Sequence, residues 1–180
     1  MDISNQLLIG RPYGGTAILF RKKNLSNCVS TLEAYDPRLT AIRLTTNIGP
    51  VMLVCVYMPS DVGDLDCVLN YNETCSKINA LYAESDVAIV AGDFNCQTGS
   101  RFYNIFFNFV QDCGLEISDS NRLLDEFTFC SDDALRTSWI DHIACSSRVD
   151  ELVHKVEILH QFASSDHKPL LAVFSGLTSY

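Results

Sequence analysis

The 180-residue chain lacks any apolar run near the roughly 20 residues that a membrane-spanning helix needs. Its opening, MDISNQLLIG, has no basic stretch before an apolar one, so it does not read as a signal peptide. There is no CxxC pair among the eight cysteines, and their even spread argues against a zinc site. Cys55 stands inside "VMLVCVY", where a free thiol behaves as a small hydrophobe. Without a secretion signal the cysteines read as reduced and the protein as intracellular, in nucleus or cytoplasm. Positive charge is also scarce: 13 Lys and Arg stand against 22 Asp and Glu, a net −9. Residues 1–60 carry six basic and three acidic side chains, whereas 61–135 carry three basic and fourteen acidic. Such a body is unsuited to gripping a phosphate backbone non-specifically, which needs many basic contacts. It is still compatible with an enzyme whose carboxylates hold a cation that meets the phosphate.

What is present is a globular composition, 47% hydrophobic and 19% charged, at a size that suits one domain over residues 1–180. No repeat, low-complexity tract or linker divides it. "TAILFRK" (16–22) reads as a strand. "AIRLTT" (41–46) and "VMLVCVY" (51–57) form a hairpin through Asn47-Ile48-Gly49-Pro50. From Asp64, a candidate N-cap, to Ala83, the apolar residues Leu65, Val68, Leu69, Ile78, Leu81 and Tyr82 predict an amphipathic helix. A strand over 87–91 comes next. A second helix over 101–113 is led by Ser100, presents Phe102, Ile105, Phe106, Phe109 and Val110, and stops at Gly114. "FTFC" (127–130), "WIDHIAC" (139–145), "KVEILH" (155–160) and "LLAVF" (170–174) read as strands. Helices set between strands indicate a layered α/β or α+β domain.

The polar residues sit where these strands end. In "VAIVAGDFN" an apolar strand runs into Gly92-Asp93-Phe94-Asn95. In extended chain, Asp93 and Asn95 share one face while Phe94 turns to the other. That pattern fits an Asx-rich turn or a site, and the stretch alone does not choose. Gly92 permits a close backbone approach or an unusual dihedral. Tyr57 ends another strand just before Pro59, a place usual for a rim tyrosine as well. Asp141, inside an apolar strand, needs a partner because an isolated buried charge is too costly. His167, in the turn "SSDHKPL" with Asp166, is the natural one: a carboxylate on one ring nitrogen orients an imidazole and keeps it basic or cationic. His142 reads as a packing residue, His154 and His160 as structural, and Arg21, Lys22 and Lys23 as a solvated strand end.

"VYMPS", "GDFN", "TSWIDHI" and "SSDHKPL", in this order, resemble the endonuclease/exonuclease/phosphatase superfamily. The opening "GRPYGGTAILFRKKN", with "GDFNC", "FTFCS" and "SWIDHIACSS", is most similar to the apurinic-type endonuclease domain of non-LTR retrotransposons. The resemblance implies a four-layered α/β/β/α sandwich of two mixed sheets and hydrolysis of phosphoesters with Mg²⁺ or Mn²⁺. It implies that Asp93 orients and deprotonates the attacking water and that Asn95 holds the phosphate and the water. Tyr57 would bond a phosphate oxygen, Asp166 would serve the metal, and Asp141 would orient His167, which stabilises developing charge. Family members carry an Asn-containing loop, a helix and a metal-binding glutamate ahead of the "GRPYGG" region. Here only Met1 to Ile9 precede Gly10, and Asn5 has no matching context. The expectation is a fold missing its N-terminal strands and helix, with Met1 internal to a longer ancestral frame, metal binding weakened and activity low. DNA is the expected substrate, for a monomer with no membrane partner. Two other readings stay open: a non-catalytic remnant or binding domain, and a small-molecule phosphatase or phosphodiesterase of the same superfamily.

Overall fold

The computed structural model describes residues 15–25, 27–82, 87–162 and 164–179. Asn5 and most of the "GRPYGG" opening therefore lie outside the described residues. The elements run α1 (Lys22–Leu25), β1 (Val29–Leu32), β2 (Leu39–Thr46), β3 (Gly49–Tyr57), α2 (Leu65–Tyr82), β4 (Ala88–Asp93) and α3 (Arg101–Asp112). Then come β5 (Leu115–Ile117), β6 (Phe129–Cys130), β7 (Thr137–Ser138), β8 (Asp141–Ser146), α4 (Ser147–Asp150), β9 (Val153–Ile158) and β10 (Leu170–Phe174). This is a mixed α/β domain. Its main sheet has six strands in the order β1-β2-β3-β4-β8-β5, with β3 and β4 parallel and the other pairs antiparallel. Parallel strands need a crossover, and α2 supplies it between β3 and β4.

Alternation along the strands separates two cores. Val54, Val56, Val90 and Ala144 face α2 and α3, where Tyr71, Ile78, Phe102 and Phe106 close the larger cluster. Val51, Ile89, Ile143 and Cys145 face the other way, onto Leu170, Ala172 and Phe174 of the β9–β10 pair. The described residues thus form three layers: helices, the six-stranded sheet, and a second sheet of two antiparallel strands. Among them no helix covers the outer face of β10, where Leu171 and Val173 are exposed.

Several sequence expectations need correction. Residues 15–20 form no strand; Leu19 is 92% exposed, and a strand needs a neighbour to take up its backbone groups. Lys22 and Lys23 instead belong to the single turn of α1. The hairpin turn is tighter than four residues, since Gly49 and Pro50 already pair with Thr46 and Thr45. In α2 the buried stripe is Cys67, Tyr71, Thr74, Cys75 and Ile78, while Leu65 and Leu69 point to solvent. The N-caps hold as read: the Asp64 carboxylate accepts from the Cys67 N–H at 2.8 Å, and Ser100 accepts from Tyr103 at 3.2 Å.

Candidate active site

Strand register brings the first residues together. Tyr57 pairs with Asp93 across the parallel β3–β4 ladder, and Asp93 pairs with Asp141 across β4–β8. Gly92 makes this approach possible. Its φ is 148°, and a Cβ there would lie 2.0 Å from the Val56 carbonyl oxygen. Only glycine fits. Beyond the strand the Met58 N–H donates to the Asp93 carbonyl, and Phe94 is fully buried against Phe106. Asn95 takes a positive φ of 48°, which an Asn tolerates better than most residues. Its N–H donates to Asp93 Oδ1 at 2.8 Å, and its amide donates to the Met58 carbonyl at 2.8 Å. This is an Asx turn and a clustered constellation at once, so the two readings of "GDFN" were never exclusive.

The second half comes from β8 and the turn before β10. His167 Nδ1 lies 2.9 Å from Asp141 Oδ2 and 3.1 Å from Oδ1. Thr128, which the sequence reading did not single out, fixes both sides of this pair. Its hydroxyl accepts from the Ile140 and Asp141 N–H groups, and its carbonyl accepts from the Lys168 N–H at 2.6 Å. A backbone bridge from Phe129 to His167, and the Cys130 N–H donating to the Asp166 carbonyl, complete the clamp. The Asp166 carboxylate accepts from Ser165 Oγ at 3.2 Å and adds its charge beside His167.

Electrostatics follow from this crowding. Burial first, and then repulsion from Asp141, push the Asp93 carboxyl up to about 6, against the pull of the Asn95 N–H and His167. Hydrogen bonding to Asp141 raises His167, which outweighs its partial burial. The site therefore pairs a carboxylate with near-neutral basicity and an imidazole held toward its cationic form. Among the described residues no three His, Cys, Asp or Glu side chains gather as a metal cage. The donors present are hard carboxylate oxygens, and Mg²⁺ is usually held by one or two of these plus water and phosphate. The site fits a cation bound in that open manner and not an all-protein cage.

Two further groups escaped the sequence reading. Arg38 places its guanidinium over the Tyr57 ring, 5.6 Å from its centroid, and donates to the Tyr57 carbonyl. Asp119, fully buried, is bonded to His142. His160 is not without a partner, since its Nε2 lies 2.8 Å from Glu126.

A model of the endonuclease/exonuclease/phosphatase family matches residues 6–167. The chain belongs to that family, whose members are nucleases and phosphatases that hydrolyse phosphoesters. No curated protein sequence matches it. Among solved structures, the endonuclease domain of TRAS1, a telomere-specific non-LTR retrotransposon, aligns with a TM-score of 0.65 and 16% identity over 82% of this chain and 67% of that one. A 3′ phosphatase from Neisseria, bound to a product DNA hairpin, aligns with 0.65 and 16% over 78% of this chain and 65% of its own. The APE2 catalytic domain of Xenopus laevis gives 0.64 and 16%, over 80% and 57%. The chain thus spans about two thirds of the length of these relatives or less, and at such identities the likeness is one of fold.

Proposed function

We propose that the protein is a divalent-metal-dependent phosphodiester hydrolase of the retrotransposon endonuclease type, acting on DNA as a monomer, with low activity in this chain alone. The observation that carries the reading is the meeting of Asp93, Asn95, Asp141 and His167 at one end of β4 and β8. Asp93, with its affinity for a proton near neutrality, orients a water and takes its proton as that water attacks phosphorus. The Asn95 amide and the Tyr57 hydroxyl hold phosphate oxygens. His167, oriented and charged by Asp141, faces the negative charge that grows in the transition state. Asp166 would help hold Mg²⁺ or Mn²⁺, which supplies Lewis-acid neutralisation of the phosphate when bound.

A second reading is a DNA-binding remnant without turnover. Supercoiled plasmid nicking with Mg²⁺, Mn²⁺ or EDTA, beside an Asp93→Ala control, separates the two. Slow nicking that needs both metal and Asp93 is the expected result. Plasmid that is bound but stays intact supports the remnant, and cleavage that survives Asp93→Ala overturns the assigned chemistry. Release of phosphate from small esters, with DNA untouched, would point to the phosphatase alternative.

A further inference from the structure

We propose that His142 is a positioning residue: a buried imidazolium, paired with Asp119, that holds the loop carrying Asn95 in its positive-φ conformation. His142 is 3% exposed and Asp119 0%. Its Nδ1 lies 2.8 Å from Asp119 Oδ2 and its Nε2 lies 3.1 Å from the Cys96 carbonyl. A carbonyl oxygen can only accept. The other Asp119 oxygen accepts from the Ile143 N–H at 2.8 Å, which leaves Oδ2 of an ionised Asp119 to accept from His142. Facing an ionised Asp119 at Nδ1 and a carbonyl at Nε2, the ring donates twice, which only the imidazolium does. The pair offsets the cost of burying either charge alone.

The placement gives the pair its consequence. Cys96 follows Asn95 directly, so the His142 bond fixes the loop just past the strained residue, while the Phe94 N–H bond to Ile140 fixes it just before. The ring is wedged against Phe106 of α3 (5.2 Å, 24°) and Trp139 (6.2 Å, 17°), with Phe94 at 6.0 Å. The charged groups around it are Asp119, from the segment after β5, and Asp93, at the end of β4, whose carboxylate the His142 charge favours. Burial opposes protonation of His142, yet Asp119 and Cys96 raise it to about 10. Alternation along β8 directs His142 to the face opposite Asp141, so it acts through the loop rather than on the substrate.

The test has two parts. Nitrogen-15 NMR of the intact chain should show both His142 nitrogens protonated through the pH range in which an ordinary histidine side chain loses its proton. A neutral His142 tautomer near pH 7 overturns the proposal, whatever the chain's activity. The kinetic part rests on the hydrolase reading and uses the double variant His142→Gln/Asp119→Asn, which leaves no buried charge unpaired. Relative to the unaltered chain it should lose roughly 10- to 100-fold in kcat with KM for DNA within about twofold, because misplacing a catalytic group costs turnover more than binding. Its Asn95 amide should exchange faster with solvent. Native kcat and native Asn95 exchange in a folded double variant would overturn the positioning role. Should the chain prove inactive, the NMR and exchange results still decide it.

Discussion

His167 and Asp141 are 26 residues apart in sequence, yet the imidazole Nδ1 spans both oxygens of the carboxylate at 3.1 and 2.9 Å. The carboxylate stands at the first position of β8, and the imidazole stands in a turn held to Thr128 and Phe129 by backbone bonds. That clamp fixes the backbone on both sides of the pair. The Nδ1–H is thereby directed at Asp141, with Nε2 left for a ligand.

Asp141→Asn keeps the shape and removes the charge. The His167 pKa should then fall back toward the ordinary histidine value, since hydrogen bonding to Asp141 is the main cause of its rise. A raised folded-state pKa stabilises the fold below the unfolded value, and that contribution is lost as pH rises through the folded one. The variant's deficit in Tm should therefore be larger at mildly acid pH than at alkaline pH. Nicking activity should drop on the order of 10²–10³. A His167 titration curve unchanged in the variant would reject the pairing.

Gly92→Ala tests the strand crossing itself. The new methyl group would meet the Val56 carbonyl oxygen at 2.0 Å, on backbone that cannot swing aside, at a φ that other residues avoid. Strain and overpacking together should cost about 3–5 kcal/mol. Denaturant unfolding of the variant should show this, and a loss under 1 kcal/mol would mean that β3 and β4 separate easily.

Tyr71 makes a smaller, cleaner case. Its hydroxyl, in the heart of the helix-side core, donates to the Phe94 carbonyl at 3.0 Å. Tyr71→Phe leaves that buried carbonyl without this donor and should cost about 1–3 kcal/mol in urea unfolding, with the fold otherwise kept. A fully neutral substitution would show that water reaches Phe94.

Much of this was legible because strand ends and turns announce themselves locally. Gly92, the Asp64 and Ser100 caps and the β2–β3 hairpin follow from short-range chemistry. So does the meeting of Asp93 and Asn95. Elements defined by their neighbours were not legible. Strands β1 and β5 are short and polar in part, and exist because β2 and β8 offer open edges. The apolar reading of 16–22 failed for the converse reason. In α2, counting Leu65 and Leu69 as core overlooked that two cysteines and a tyrosine supply the stripe. Asp119 and Thr128 gave no signal, since a single Asp or Thr in a loop shows its role only when the chain has folded around it.

Asp93 provides the last test, because its proton affinity links stability to catalysis. Its folded pKa is pushed up to about 6 by burial and by Asp141. For an acid the sign is clear: the folded state holds the proton more tightly than the unfolded state, so ionising Asp93 costs stability as pH rises from about 4 to about 6. Asp93→Asn removes the charge while leaving an oxygen for the Asn95 N–H. The variant should therefore be more stable than the unaltered chain by about 1–3 kcal/mol at pH 8, with the gain gone near pH 4. Activity should vanish at every pH. A divalent cation at the site should pull the Asp93 pKa down and narrow the stability gap, an effect reversed by EDTA. Carbon-13 NMR of the carboxyl carbon, with and without Mg²⁺, reads the first change, and thermal unfolding reads the second. If Asp93→Asn were no more stable at pH 8 than at pH 4, the carboxylate would be well solvated, and its place as a near-neutral base would be lost.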